Sequence, residues 1–423
     1  MFKIYLTLTL SLLLFGCQVA SELLEKNIHP KTHNYSKSKK LLESCRFDSI
    51  IETVQNSKNE LLKNAEEGLA YYYQEKISQS NRHLSKAISL YRNNENKALF
   101  DVSTFLSQEY QGEGYDKVFL HNYKAINYLI SGDAQSARVE ARNSNLIQQK
   151  ERKKLSNFTH RDKKEPNNSY LLSRYTKLFQ SVNPQHYPYS NPFAYYISAL
   201  SYAEDKDYAN ALVDIRQALS LMPDSEILQQ KLKQYSSKKH EKSLELFFDI
   251  GQSPLKSQVK IEMELNNDEK RMVYLPAFSL SRSAVKYIEV LDSKGNIIQR
   301  SSLLSDVNAI KINEFKEKLP RVLNLISQKM GILLTSQALQ GKATLFSGLF
   351  NLGTTLYGQV DMATWSLLPE KILALSFIPH ENEKYSLVLY SKEAKVLEKS
   401  ALNLEDKNRY KHFSIRREKL CQE

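Results

Sequence analysis

The chain has 423 residues, which leaves room for two or three domains. Glycine and proline are scarce, at 12 and 11 residues, and this excludes a fibrous or low-complexity protein. The net charge is +12, but lysine and arginine are scattered along the chain rather than gathered into one stripe.

Residues 1–17 have the pattern of an export signal that ends in a modified cysteine. Lys3 precedes an uncharged stretch over 4–15, which is long enough for the apolar region of a signal peptide and too short to span a bilayer. The segment ends Leu14-Phe15-Gly16-Cys17, which resembles the lipobox of bacterial lipoproteins. An ordinary signal peptide followed by a chance cysteine is the alternative.

The lipobox predicts that residues 1–16 are removed and that Cys17 carries acyl chains, two or three of which hold a protein stably on a membrane. Gln18 stands where an Asp would favour the inner membrane, so we expect an anchor in the outer membrane that faces the periplasm. An exported protein is not expected to bind nucleic acid.

Residues 17–40 are polar and rich in lysine, serine and asparagine, which predicts a flexible tether. Helical periodicity then predicts a helical domain over 41–242. Its clearest unit runs from Phe193 to Pro223, with Asp205-Lys206-Asp207 as its turn, and has the spacing of a tetratricopeptide repeat. Small residues there let two helices approach, and large ones fill the space to the next pair: Ala199, Tyr202, Ala211, Ile215 and Ala218.

Two further units match this spacing less completely. One begins at Gly68 and has Ser80 where the second small residue belongs, and the other begins at Ala125 and turns at Gly132. The positions 68, 125 and 199 lie 57 and 74 residues apart, so the array is predicted to be interrupted. The alternative is a generic helical bundle. The remaining packing residues of these two units are Tyr71, Tyr128 and Ala137.

Repeats of this kind expose a concave groove lined by the first helix of each pair. Residues at the corresponding positions predict a surface that binds envelope proteins, because aromatic rings give large contact area at low entropic cost. The alternative is that these rings fill contacts between hairpins. The predicted groove residues are Tyr72, Tyr73, Asn122, Tyr196 and Leu200.

After about residue 243 the hydrophobic period changes from 3.6 to 2, which predicts a mainly antiparallel β domain over 243–423. A helical insertion is predicted at about 303–359, and the fold class is α+β with several domains. Its uncharged part, 343–360, predicts a packed helical hairpin, with a membrane-surface or partner-binding element as the alternative. Strands are predicted at 259–265, 284–291, 297–300, 372–378, 385–391 and 394–398.

Two blocks carry a family resemblance. The first reads Tyr115-Asp116-Lys117-Val118-Phe119-Leu120-His121-Asn122-Tyr123-Lys124-Ala125, and the second Asp361-Met362-Ala363-Thr364-Trp365-Ser366-Leu367-Leu368-Pro369. With the lipobox, they resemble a family of bacterial outer-membrane lipoproteins that contain tetratricopeptide repeats and have no settled activity. The family favours arginine where Met362 stands. The resemblance implies a place among envelope lipoproteins that help to activate peptidoglycan synthases.

No motif predicts a reaction, so we expect no catalytic residue, no metal and no cofactor. Glu113, Asp116, His121 and Glu140 could form a site, although such groups more often fix helix packing through ion pairs. The sequence therefore favours a non-catalytic scaffold or adaptor. The alternative is an accessory or activating subunit, or less readily an enzyme, of peptidoglycan or surface-polymer synthesis.

Two features remain open in the sequence. Cys45 and Cys421 could pair in an oxidising periplasm or could stay as thiols, and spacing does not decide between these states. The basic tail is either a solvated face or a contact with anionic partners, such as phospholipid headgroups or cell-wall polymer such as peptidoglycan. Its residues are Lys407, Arg409, Lys411, Arg416, Arg417 and Lys419.

Overall fold

A computed structural model describes residues 35–97, 110, 112–161, 172–186, 189–237, 242–264, 270–320, 363–405 and 408–421. The signal peptide, Cys17, tether residues 17–34, the uncharged segment 343–360, Met362 and Lys407 lie outside these ranges. The prediction of a tether up to residue 40 is wrong for 35–40, which are helical. These residues fold because their helix continues into Leu41 and Leu42, which are buried in the core.

Helices make up the first part of the described chain, and the longest of them has 28 residues. Their bounds are α1 (Tyr35–Glu43), α2 (Phe47–Val54), α3 (Glu60–Tyr73), α4 (Ile77–Lys97), α5 (Gly114–Ile130), α6 (Ala134–Arg161), α7 (Thr176–Gln180), α8 (Pro192–Glu204), α9 (Tyr208–Leu221) and α10 (Glu226–Ser236).

Three helix pairs, α3–α4, α5–α6 and α8–α9, are closed by the same turn. In each, the second residue after the first helix has a left-handed backbone, with φ of 55° at Glu75, 77° at Gly132 and 61° at Lys206. The amide that follows donates to the carbonyl of a tyrosine five residues earlier, at 2.8–3.0 Å, which satisfies an end carbonyl of the helix. Those tyrosines, Tyr71, Tyr128 and Tyr202, lie 57 and 74 positions apart, the intervals found in the sequence.

The strands form three sheets. Strands β11-β10-β1-β7-β6 form a five-stranded sheet, β5-β4-β8-β9 a four-stranded sheet, and β2-β3 a hairpin. The bounds are β1 (Leu244–Ile250), β2 (Leu255–Glu264), β3 (Lys270–Ser279), β4 (Tyr287–Leu291), β5 (Ile297–Arg300), β6 (Ser302–Asp306), β7 (Lys371–Phe377), β8 (Tyr385–Tyr390), β9 (Val396–Leu402), β10 (Tyr410–Arg416) and β11 (Lys419–Leu420).

The five-stranded sheet lies between the helices and the four-stranded sheet. Side chains alternate between the two faces of a strand, and in β1 the residues Leu246 and Phe248 pack into the core between the two sheets. The intervening Phe247 packs into the helical core. Strand β1 is therefore buried along its whole length, and the protein has the layer order helices, sheet, sheet.

The helical and β parts share one hydrophobic cluster that includes Tyr196 of α8, Phe247 of β1 and Trp365. The last helix before the sheets ends at Ser236, and β1 begins at Leu244. The helical insertion predicted from about 303 begins at 307 in the structure, because 303–306 belong to β6, which pairs with β7. Residues 307–320, here called α11, are helical.

Candidate functional site

The predicted groove residues all lie in the interior of the protein. Tyr72, Tyr73 and Tyr196 are buried against the five-stranded sheet, and Asn122 accepts a hydrogen bond from Ser144 across the α5–α6 hairpin. Leu200 is also buried in the helical core. The prediction that these five side chains form an open groove is wrong, because this chain's own sheet and hairpins cover them.

Asp249 of β1 joins two helices to the sheet. Its carboxylate accepts hydrogen bonds from Tyr73 of α3 at 3.0 Å and Tyr123 of α5 at 2.8 Å. Burial raises the pKa of Asp249 to about 6, although both hydroxyls and Arg416 oppose this rise. Beside it, the rings of Tyr72 and His412 stack with centroids 4.0 Å apart. This face of the sheet is thus a polar contact that fixes α3 and α5.

A second polar contact joins α8 and α10 to β1. The carboxylate of Glu245 pairs with Lys231 and accepts a hydrogen bond from Tyr196 at 2.6 Å. Ser243 and Ser376 also donate to it, at 2.7 and 3.0 Å. Lys231 and Glu245 are each about 1% exposed, so the ion pair is fully desolvated and depends on these added hydrogen bonds.

The block around Trp365 binds the carboxylate of Glu66 in α3. Ser366 donates its amide at 2.6 Å and its hydroxyl at 2.8 Å, and the amide of Leu367 donates at 3.2 Å. Burial raises the pKa of Glu66 to about 7 in spite of these donors. Nearby, Lys311 of α11 donates to the carbonyl of Trp365 at 3.2 Å, and burial lowers the pKa of Lys311 to about 8. The conspicuous tryptophan block is therefore bound inside the protein.

The residues predicted to pack the repeats occupy helix contacts. The first small residue, Gly68, is so close to α4 that a Cβ on it would lie 2.7 Å from Leu84. Ser80, in place of a small residue, donates to the carbonyl of Gly68 at 2.8 Å and accepts from Asn127. Tyr71, Tyr128 and Tyr202 are partly buried against the core. The fully buried small residues are Ala125, Ala137, Ala199, Ala211 and Ala218.

The four ionisable residues considered for a site do not all come together. Glu113 binds Lys256 of β2 at 3.4 Å and Lys318 of α11 at 3.3 Å. The carboxylate of Asp116 accepts hydrogen bonds from the hydroxyl of Tyr110 and from the amide of Glu113. Glu140 of α6 binds His121 at 2.5 Å and Lys124 at 2.6 Å, and both partners lie on α5. Arg138 binds Asp205, in the turn of the next hairpin, at 2.5 Å. The contacts of Glu140 and Arg138 thus join neighbouring helices, which is the packing role that the sequence offered as the alternative to a site.

The basic tail is largely used within the protein. Arg409 binds Glu204 at 2.5 Å, Arg417 binds Glu43 at 2.6 Å, and the buried Arg416 donates to the carbonyl of Asp249 at 2.8 Å. Cys45 and Cys421 form a disulfide with a Cα–Cα distance of 5.5 Å, which links the α1–α2 turn to the last strand. The sequence had left both features open.

An open cleft of about 200 Å³ lies between α4 and α6, above α5. Its apolar lining includes Tyr91, Leu120 and Leu146, and the side chain of Leu146 is 61% exposed. Arg92 and Lys150, both exposed, lie on opposite helices of the cleft. The described residues that line it are Ile88, Tyr91, Arg92, Lys117, Leu120, His121, Asn143, Leu146, Ile147, Lys150 and Glu151.

Charge in this cleft is predominantly positive. Among the described residues that line the cleft, the one carboxylate is Glu151, which is bound by Lys117 at 3.0 Å and by Lys154 at 2.7 Å. The ammonium of Lys117 lies 3.9 Å from the centroid of the Tyr91 ring, and burial lowers the pKa of Lys117 to about 7. The cleft can therefore receive an apolar group between cationic side chains.

Sequence reasoning missed this cleft, although α6 carries a signal for it. Val139 and Leu146 lie seven residues apart, on one face of the helix, and both are strongly exposed. Arg142, Lys150 and Lys153 are exposed on the same helix. Leu146 lines the cleft, and Val139 does not.

Comparison with models of known protein families finds none that matches this chain, and comparison with curated proteins finds no match either. Within the ranges described above, no helix is long and apolar enough to cross a membrane. The same ranges hold no group of three or more His, Cys, Asp or Glu side chains arranged to bind a metal ion.

Proposed function

We propose that this protein is a lipid-anchored scaffold of the bacterial outer membrane, facing the periplasm, whose helical part binds another envelope protein. The observation that carries the proposal is the open cleft between α4 and α6, an exposed apolar surface on the helical part. The inner face of α3, α5 and α8 contacts the sheet, so a partner would bind on the other side of the hairpins. The protein is expected to catalyse no reaction.

The helical part is best explained as an interrupted array of tetratricopeptide repeats. Three hairpins with identical closing turns, spaced by 57 and 74 residues, support this assignment. Buried alanines at the helix crossings support it as well. Such arrays serve widely as binding surfaces, although here the surface normally used is filled by the chain's own sheet.

Export to the periplasm is supported by the disulfide, because such bonds persist in oxidising compartments. Lipidation of Cys17 is expected from the lipobox. Mass spectrometry of the mature amino terminus should find an acylated Cys17, and Cys17→Ser should release the protein from the membrane fraction. Membrane association that survives Cys17→Ser would show that the anchor lies elsewhere.

The scaffold proposal is tested by crosslinking in intact envelopes, followed by purification of the full-length protein. We expect a defined protein partner that is lost when Ala211→Arg destabilises the helical part and is retained in Val213→Arg. The purified protein is also assayed against peptidoglycan and envelope glycans. Turnover that a single change such as Asp116→Asn abolishes would replace the scaffold with an enzyme.

A further inference from the structure

We infer that the cleft between α4 and α6 binds an acidic segment of a partner protein that inserts one apolar side chain between Arg92 and Lys150. This inference rests on the proposed function and specifies the chemistry of its partner. The cleft has a volume of about 200 Å³ and an apolar floor formed by Ile88, Leu120 and Ile147. A concave site of this size accepts a side chain, whereas a flat membrane surface does not enter it.

Charge complementarity decides the sign of the partner. The side chains described on α4, residues 77–93, include no carboxylate. Arg92 lines the cleft, whereas Lys86 lies outside it and binds Glu60 of α3 at 3.0 Å. Those described on α6, residues 134–156, include two carboxylates, Glu140 and Glu151, and both are buried and ion-paired with lysines. Among the described residues that line the cleft, Arg92 and Lys150 carry the exposed charges, and they favour a segment that contains Asp or Glu.

Aromatic and aliphatic groups give the cleft its apolar contact. Tyr91 lies at one side and is held by the ammonium of Lys117, at 3.9 Å from its ring centroid. Leu146 projects from α6 at the other side and is 61% exposed, so a partner that covers it removes apolar surface from water. A segment with one apolar residue flanked by acidic residues matches an apolar floor that lies between Arg92 and Lys150.

The test places a photo-crosslinking amino acid at Leu146 of the full-length protein in intact cells, and at Val213 of α9 as a control. Val213 is 60% exposed and lies on a helix that does not line the cleft. Mass spectrometry then reads the sequence of the crosslinked segment. We expect capture from position 146 and not from 213, with a net negative segment that contains an apolar residue.

Charge reversal supplies the second arm of the test. Arg92→Glu with Lys150→Glu should lower the crosslinking yield from position 146 by about tenfold or more. Lys294→Glu with Lys392→Glu makes the same change in net charge at two exposed turns of the four-stranded sheet and should leave the yield unchanged. Thermal unfolding of both double variants checks that each remains folded.

The possible failures are distinguishable. A captured segment that is neutral or basic, an equal yield from the two charge variants, capture only from Val213, or a crosslink to lipid would overturn this inference and leave the scaffold proposal standing. A crosslink from Leu146 to residues 98–109 of the same chain would also overturn it. Failure to capture any protein from either position, together with a negative envelope crosslinking experiment, would overturn both.

Discussion

At the scale of single residues, three buried carboxyl groups accept hydrogen bonds inside the protein while burial opposes their ionisation. Burial raises the pKa of Glu66 to about 7 and those of Asp116 and Asp249 to about 6. Each folded-state pKa lies above the value of the unfolded chain. The stability that each protonated group contributes is therefore fully present below the unfolded pKa and is lost as the pH rises through the folded pKa.

Glu66→Gln should remove part of this pH dependence. Between about pH 5 and pH 8 the wild-type protein should lose stability relative to the variant, by on the order of 3 kcal/mol if the pKa shift is fully expressed. Urea unfolding at several pH values measures the slope. Glu52→Gln, on the exposed side of α2, is the control and should keep the wild-type slope. A Glu66→Gln slope equal to that of the wild type would contradict the assignment.

A buried pair at the helix–sheet contact gives a second test at this scale. Lys231→Met leaves the carboxylate of Glu245 without its cation in a dry site, so it should cost roughly 3–5 kcal/mol of unfolding free energy. Adding Glu245→Gln removes the stranded charge and should restore part of the loss. Double-mutant urea denaturation measures the coupling, and additive effects of the two changes would show that the pair is not coupled.

At the scale of elements, the helix crossings depend on small residues. Ala211 of α9 is fully buried, whereas Val213, two positions further along the same helix, is 60% exposed. Ala211→Arg should lower stability by more than the roughly 1–3 kcal/mol typical of overpacking, because it also buries a charge. Val213→Arg should change the melting temperature little. Equal melting temperatures for the two variants would show that the register of this hairpin is wrong.

The helical hairpins were predictable because their signals are local. Ala199, Ala211 and the turn at Lys206 lie within one stretch of sequence, and the same holds for Ala125 and Gly132. The predicted strands at 284–291, 297–300 and 385–391 correspond to β4, β5 and β8 for a similar reason, since β4 pairs with β5 and β8 pairs with β9. The predicted strand at 372–378 corresponds to β7, whose partners β1 and β6 are distant in sequence.

Strand β1 escaped prediction because both of its faces are buried. Its residues Glu245 and Asp249 contact helices, while Leu246 and Phe248 face the other sheet, so the segment shows no exposed polar side. Its parallel partner β10 lies more than 150 residues later, at Tyr410–Arg416. A pairing of that range has no local signature in one sequence.

The sequence also carries no sign that the chain's own sheet covers the predicted groove, because the contacts that cover it join residues that are distant in sequence. Tyr196 and Glu245 are 49 residues apart, and Tyr73 and Asp249 are 176 apart. A tyrosine that binds a partner and one that binds the chain's own sheet have the same local pattern. The cleft at α4 and α6 was missed because Tyr91 and Leu146 belong to different hairpins.

At the scale of the whole molecule, residues 410–421 bind to the first described helices and to the first strand. Strand β10 lies beside β1 in the central sheet, Arg417 binds Glu43 at 2.6 Å, and Cys421 is bonded to Cys45. The tail thus connects α1 and α2 to the sheet rather than extending from it. These contacts explain why basic residues that could have bound an external anion are largely occupied.

The disulfide between Cys45 and Cys421 should contribute measurably to stability, because it joins positions 376 residues apart and so restricts the unfolded chain. Changing both cysteines to serine should lower the unfolding free energy by roughly 2–5 kcal/mol, and a reducing agent should give the wild-type protein the same loss.

Hydrogen exchange in the double serine variant should rise first in α1 and α2, whereas the hairpins that form the cleft keep their packing and should still give the crosslink from Leu146. Peptide mapping under non-reducing conditions provides the direct check. Two free thiols in protein purified from the envelope, or a double serine variant as stable as the oxidised wild type, would contradict this account of how the tail is held.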